Sequence, residues 1–193
     1  MAGFLSYGHA YGLLQHDFVR EYLLTLYSLM AHQYTRGTWT APETRNVDPK
    51  QFAAPYCTPA QLVVPLMTRW MLVFEEPASQ RLWLAKGAPR NWFEDGKYIS
   101  VSNAPTRWGK VGFVIQSQIN TGQIRLQVTL PSKAPEGGIK IRLRLPDGQR
   151  LGSVTWDAKA WNQFDPEQET ITLPEASKRR IELVVHCSPA RKD

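Results

Sequence analysis

Two hydrophobic periods divide this chain. Up to about residue 77 apolar side chains recur at helical spacing, and beyond it they alternate with polar ones. In the first stretch Phe18, Tyr22, Leu26 and Leu29 fall on one line of a helix, with Val19, Leu23, Met30 and Tyr34 beside them. A stripe this wide belongs to a helix packed on several neighbours. Asp17 is the expected N-cap, Glu21 suits the positive end of the helix dipole, and Gly37 is the expected stop after Thr35 and Arg36. A second helix is expected from Thr58, where Thr58-Pro59-Ala60-Gln61 combines an N-cap threonine, a proline at the first helical position and a capping-box glutamine. Leu62, Val63, Leu66, Met67, Trp70, Met71 and Phe74 carry its apolar face; Pro65 predicts a kink within it and Pro77 its end.

From residue 78 the period is two. Ile124, Leu126, Val128 and Leu130 alternate with Gln123, Arg125, Gln127 and Thr129, and Ile139, Ile141, Leu143 and Leu145 with Lys140, Arg142 and Arg144. Ile181, Leu183 and Val185 form a third run, and Asn120-Thr121-Gly122, Glu136-Gly137-Gly138 and Pro146-Asp147-Gly148 supply turns between runs. Strands with one face in the core and one in water form antiparallel sheets, and several short ones at this spacing predict a β-sandwich. The predicted fold class is therefore α+β: residues 1–77 form a helical segment and residues 78–193 an antiparallel β-sandwich. Two helices cannot bury stripes so broad against each other. Either they pack on the strand half or they end a larger helical barrel, and the second alternative is favoured.

The charge is uneven. Residues 1–77 hold five Lys or Arg against six Asp or Glu, net −1, whereas residues 78–193 hold eighteen against eleven, net +7, so the basic character belongs to the strand half. Arg125, Arg142 and Arg144 would share an exposed sheet face. Such arginines more often guard edges and keep a sheet soluble than bind nucleic acid, and no RNA-binding sheet signature accompanies them, so no nucleic-acid partner is expected. No apolar run approaches the roughly 20 residues of a membrane span, so no membrane partner is expected either. No basic segment followed by an apolar one opens the chain, and the sequence starts as if inside a domain. A truncated chain is the expectation, and it leaves the compartment open.

Chemistry concentrates in residues 34–45, where the helix is expected to stop and a loop begins. Glu43 is the candidate acid or base, stiffened from behind by Pro42. Trp39 offers a face for the apolar side of a sugar ring, and Arg36 and Arg45 could hold hydroxyl or carboxylate groups. Glycoside cleavage ordinarily needs two carboxylates, about 5–5.5 Å apart in retaining enzymes and about 6.5–9.5 Å apart in inverting ones. No second carboxylate is evident: Glu75 and Glu76 are expected at a helix C-terminus, the electrostatically unfavourable end. The bland alternative for Glu43 is an exposed loop carboxylate. His9, His16, His32 and His186 are scattered without metal-ligand spacing, and Cys57 and Cys187 read as small apolar residues, not as ligands or a disulfide. Nucleophile-elbow, zinc-helix, phosphate-loop and dinucleotide motifs do not occur, and no cofactor is expected.

The order of pieces resembles the C-terminal end of bacterial six-hairpin glycosidase-like proteins, in which an (α/α)6 barrel precedes a β-sandwich. The resemblance is carried by Ala31-His32-Gln33-Tyr34-Thr35-Arg36-Gly37-Thr38-Trp39, Pro42-Glu43 and Tyr56-Cys57-Thr58-Pro59-Ala60-Gln61. In the strand half it is carried by Pro105-Thr106-Arg107-Trp108-Gly109 and by the stretch from Asp147-Gly148 to Trp161-Asn162-Gln163-Phe164-Asp165-Pro166. It implies a carbohydrate partner, glycoside hydrolysis, and Glu43 near the barrel mouth. Only the last helical hairpin would be present, so the missing helices of an N-terminal barrel, or self-association, would have to complete the site. The alternative is a non-catalytic carbohydrate-binding or assembly module acting through Trp92, Trp108, Trp156 or Trp161.

Overall fold

The computed structural model of the protein describes residues 3–34, 37–46, 48, 50–146, 148–175 and 178–189, with Phe4 and Phe52 described in their backbone alone. The chain divides into two compact units, residues 1–71 and 72–193.

The first unit is helical. After a single 3-10 turn come α1 (Ser6–Gln15) and α2 (Val19–His32), then a two-stranded ribbon of β1 (Thr44–Arg45) and β2 (Phe52–Ala53), then α3 (Thr58–Leu72). Helix α1 adds to the two predicted helices. Gly8, His9 and Gly12 dilute its apolar pattern, and only Ala10 and Leu14, four residues apart, are buried. The predicted Asp17 cap is not used: the N-cap of α2 is Phe18 and no side chain caps the helix. Asp17 instead reverses the chain between α1 and α2. Its φ is +68°, and its carbonyl accepts the Val19 N–H at 2.9 Å, while Phe18 N–H bonds back to Leu13. Helix α2 also stops at His32, short of Gly37; Gln33 caps it, still bonding its N–H to the Leu29 carbonyl at 2.9 Å while its side chain donates to the Pro42 carbonyl in the following loop. Tyr22, Leu26, Leu29, Met67 and Met71 fill the interior, and the Tyr22 hydroxyl donates to the Met67 carbonyl, joining α2 to α3. Burial drives the Tyr22 pKa well above that of an ordinary tyrosine.

The second unit contains β3 (Val73–Glu76), β4 (Arg81–Leu84), β5 (Tyr98–Thr106), β6 (Gly109–Gln118), β7 (Gln123–Thr129), β8 (Ile139–Arg142), β9 (Gln149–Trp156), β10 (Lys159–Ala160), β11 (Phe164–Asp165), β12 (Thr170–Thr172) and β13 (Arg180–Pro189). They form a six-stranded sheet, β10-β9-β13-β7-β6-β5, and a five-stranded sheet, β11-β12-β8-β4-β3. One continuous core lies between them, with Ile115, Leu126 and Val128 from the first sheet and Leu82, Leu84 and Ile141 from the second. The fold is α+β, helices first and a β-sandwich after them. Alternation in β7 and β13 runs as predicted: Ile124, Leu126, Val128, Ile181, Leu183 and Val185 are buried. At roughly 1.5–3 kcal/mol for each large apolar side chain, this inner layer dominates the folding free energy.

Three expectations fail here. The second helix ends at Leu72, not at Pro77: Val73–Glu76 form a hairpin with Arg81–Leu84, in register from Val73 opposite Leu84 to Glu76 opposite Arg81. Glu75 and Glu76 thus sit on a strand, not at a helix end. Backbone pairing across the turn at residues 77–80 outweighs the apolar stripe that continued the helical reading through Phe74. The sheets are not wholly antiparallel, since β4 and β8 pair in parallel. Arg142 and Arg144 do not face water. Both are buried, with the Arg142 guanidinium 5.3 Å from the centre of the Trp83 ring and Arg144 donating to the Ala88 carbonyl at 3.4 Å. Arg142 and Arg144 thus lie on a covered face, while Lys140, nearer the start of β8, is half-buried.

Candidate functional site

Residues 37–43 form a loop that runs into β1 and is held at several points. The buried Gln33 side chain donates its Nε2–H to the Pro42 carbonyl at 2.5 Å. Cys57 N–H reaches the carbonyl of the fully buried Ala41 at 2.9 Å, and Glu43 N–H bonds to the carbonyls of Ala53 and Ala54 at 3.1 and 3.0 Å. The Tyr34 hydroxyl donates to the Gln61 carbonyl at 2.6 Å, and burial raises its pKa above the ordinary value. These bonds tie the loop to the end of α2, to the start of α3 and to the ribbon strand β2.

The four residues expected to carry chemistry fare differently. Glu43 is half-buried and enters the ribbon immediately before β1. Trp39 is 59% exposed, its ring 5.9 Å from that of Tyr34. Its φ of +53° is uncommon for a bulky residue, a local cost tolerated only where surrounding bonds hold the chain. Arg45 is half-buried on β1, opposite Phe52. Arg36 lies outside the described residues. The structure therefore brings Glu43, Trp39 and Arg45 onto one anchored span. Among the described residues no group of three His, Cys, Asp or Glu side chains is placed to hold a metal ion.

The tryptophans of the alternative reading serve mainly as core. Trp108 is buried, and Trp92, Trp156 and Trp161 are half-buried against the sandwich interior. Trp156 and Trp161 meet edge to face at 5.4 Å, and Trp161 Nε1–H donates to the Thr172 carbonyl at 2.9 Å. Cys187 is half-buried too, and burial pushes its thiol up to about 11, which leaves it a thiol at neutral pH.

A charged cluster that the sequence reading missed lies on the second unit. Lys86 is 2% exposed, with Nζ 3.6 Å from Glu76 Oε1, 4.7 Å from the centre of the Trp83 ring and 5.0 Å from that of Phe74. Burial of Glu76 opposes its ionisation. The Ser79 hydrogen bond, Lys86, the Trp83 indole and Arg81 together outweigh that penalty and hold its carboxyl below the usual range. Glu75 points instead to Arg107, which it meets at 2.9 Å through Nε and 3.1 Å through the backbone N–H. Nothing local in Phe74-Glu75-Glu76 or Leu84-Ala85-Lys86 signals these pairings, which depend on the hairpin. A further cavity of about 590 Å³ lies at the loops after β7 and β12, with Leu130 and Ile139 among its walls and Lys133, Lys178 and Arg179 beside them; it contains none of the expected site residues.

No protein-family model matches this chain, and a search of curated proteins found no significant match.

Proposed function

We propose that this chain is the C-terminal part of a bacterial carbohydrate-active enzyme of the six-hairpin glycosidase-like kind, with Glu43 as its acid or base. Trp39, Arg45 and Arg36 are the proposed substrate contacts. The observation that carries the reading is the anchored loop, which presents a half-buried carboxylate and an exposed indole on one tethered span. A sugar offers complementary surfaces: C–H faces for the indole, and hydroxyls for carboxylate and guanidinium groups.

Incompleteness of the site is part of the proposal. Nine of the ten large apolar side chains that are strongly exposed among the described residues belong to the first unit, among them Leu24, Tyr27, Met30 and Leu62. Leu24, Tyr27 and Met30 follow one another at steps of three along α2, a face suited to another helix. Further helical hairpins of the same protein are the natural cover, and they would bring the second carboxylate that glycoside cleavage requires.

The test is hydrolysis of soluble polysaccharides by the longest protein encoded in the reading frame that holds this chain. Glu43→Gln is expected to lower kcat by a factor of about 10² to 10⁴, the usual contribution of a positioned proton donor or acceptor. Trp39→Ala should act mainly on KM. Normal turnover in Glu43→Gln would remove Glu43 from the chemistry.

A further inference from the structure

The described residues of the sandwich expose just one large apolar side chain, Tyr98, at 73%. It opens β5, the edge strand of the six-stranded sheet, and it borders an open groove of about 540 Å³. The 3-10 turn Arg90–Phe93 contributes Asn91 and the half-buried Trp92 to the same lining; Glu94 and Lys97 add its other charged side chains, and Ile99 lies in it too. The side chains of Asn91, Glu94, Lys97 and Tyr98 make no hydrogen bond, ion pair or ring contact with any other described residue. Phe93, which ends the turn, is fully buried, and its carbonyl accepts the Ser117 hydroxyl at 2.7 Å, so the turn is tethered to β6.

We infer that this groove is a binding site for a neutral glycan, separate from Glu43. The case is chemical. An exposed tyrosine ring at a sheet edge gives a rigid apolar platform with a polar tip, suited to the C–H face of a pyranose. Asn91 supplies donors and acceptors together, Glu94 supplies acceptors and Lys97 supplies donors, which is the mixture that a ring of hydroxyls needs. One acidic and one basic group leave the wall without net charge, which favours an uncharged ligand over an anionic or cationic one. The site needs no second carboxylate and no further helices, because every wall comes from residues 72–193.

The experiment is native affinity electrophoresis of the full chain in gels cast with hydroxyethylcellulose, xylan, galactomannan or soluble starch. Migration is expected to slow in at least one of these gels. Tyr98→Ala should weaken the apparent affinity roughly tenfold or more, and Tyr98→Phe should keep most of it, because the ring face does the binding. Asn91→Ala and Glu94→Gln should each weaken it less. Because Tyr98 is largely in solvent, its replacement leaves the melting curve in place and a folding defect is separable from lost binding. Three results would overturn the inference: no retardation in any gel, retardation unchanged in Tyr98→Ala, or retardation abolished by Trp39→Ala and indifferent to Tyr98. The readout here is binding through residues 72–193, so unchanged hydrolysis in Glu43→Gln leaves this inference standing and unchanged retardation in Tyr98→Ala leaves the hydrolytic proposal standing; the two are separable.

Discussion

Glu169 holds Arg90 in a fork: Oε1 meets Nη1 at 2.6 Å and Oε2 meets Nη2 at 3.0 Å. The same carboxylate accepts the Leu145 N–H at 3.0 Å, and Arg90 donates to the Leu145 carbonyl at 2.5 Å. Three segments distant in sequence are thereby closed into one ring of charge-assisted bonds. Arg90 begins the 3-10 turn that carries Asn91 and Trp92, so this ring sets where the proposed glycan groove has its wall.

Arg90→Lys keeps the charge and loses the fork, because an ammonium cannot present two parallel N–H groups to a carboxylate. The expected cost is about 1–2 kcal/mol, read as a lower urea midpoint with an unchanged slope. Glycan retardation should weaken with it, since the turn loses its tether. A variant as stable as the parent chain would show that the other bonds at Leu145 suffice.

Glu76 makes the stability of the sandwich depend on acid. Its folded carboxyl titrates below the ordinary value of 4.5, whereas in the unfolded chain it titrates near that value. Its ionised form therefore favours the folded state; the contribution is complete above about pH 4.5 and is lost as pH falls through the lower folded value. Glu76→Gln carries no charge at any pH and withdraws a counterion from the buried Lys86. It should cost about 1–3 kcal/mol near neutrality. The gap between variant and parent should be constant above about pH 4.5 and narrow steadily as a urea-denaturation series is taken to lower pH. A gap independent of pH would mean that shape, not charge, is what Glu76 contributes.

The strand half was legible because period two reports directly on which face is buried, and β7 and β13 have one wet face each. Legibility ended where a second partner covered the other face. Lys140 and Arg142 alternate with Ile139 and Ile141 as solvent-facing residues do, yet Trp83 lies within 5.6 and 5.3 Å of their charged groups. The hairpin of β3 and β4 was hidden for a related reason: Val73 and Phe74 extend the apolar spacing of α3, and only pairing with residues 81–84 distinguishes strand from helix. Within the candidate site, residues 34–45 could be recognised as a loop by Gly37 and Pro42. That the loop is anchored could not, because its tether is Gln33, a residue with no local mark of that role. Tyr98 was equally silent, being one aromatic at the start of an alternating strand, and its significance comes from lying at a sheet edge.

Gly137 tests the packing of the β3–β4 hairpin turn against the loop after β7. A Cβ placed there would lie 2.0 Å from the Ser79 carbonyl oxygen, a backbone atom that cannot step aside alone. The approach is functional for the fold, since Gly137 N–H bonds to Gln80 at 3.1 Å and its carbonyl accepts Arg81 Nε–H at 3.0 Å. Gly137→Ala should lose about 1–3 kcal/mol in thermal or urea unfolding. Gly12, inside α1 with nothing within 4 Å of its virtual Cβ, is the contrast. Gly12→Ala should gain roughly 0.5–1 kcal/mol from helix propensity alone. Equal effects at the two positions would contradict the close approach at Ser79.

The exposed face of α2 makes a prediction about the chain in isolation. Leu24 is 69% exposed, and Tyr27 and Met30 lie at successive steps of three on the same helix. Apolar side chains grouped in this way favour association when their usual cover is absent. In sedimentation velocity the 193-residue chain should therefore gain average mass with concentration. The double variant Leu24→Glu, Tyr27→Glu should stay monomeric over the same range. Both replacements are good or adequate helix formers at solvent-facing positions, so the helix itself is preserved. If the parent chain is monomeric throughout, the α2 face needs no cover and the incomplete-barrel reading loses its main physical support. If parent and variant associate alike, another surface is responsible, and the proposed helical cover of α2 is tested instead in the longest protein of the same reading frame, by whether Leu24→Glu lowers its stability as a charge buried between helices would.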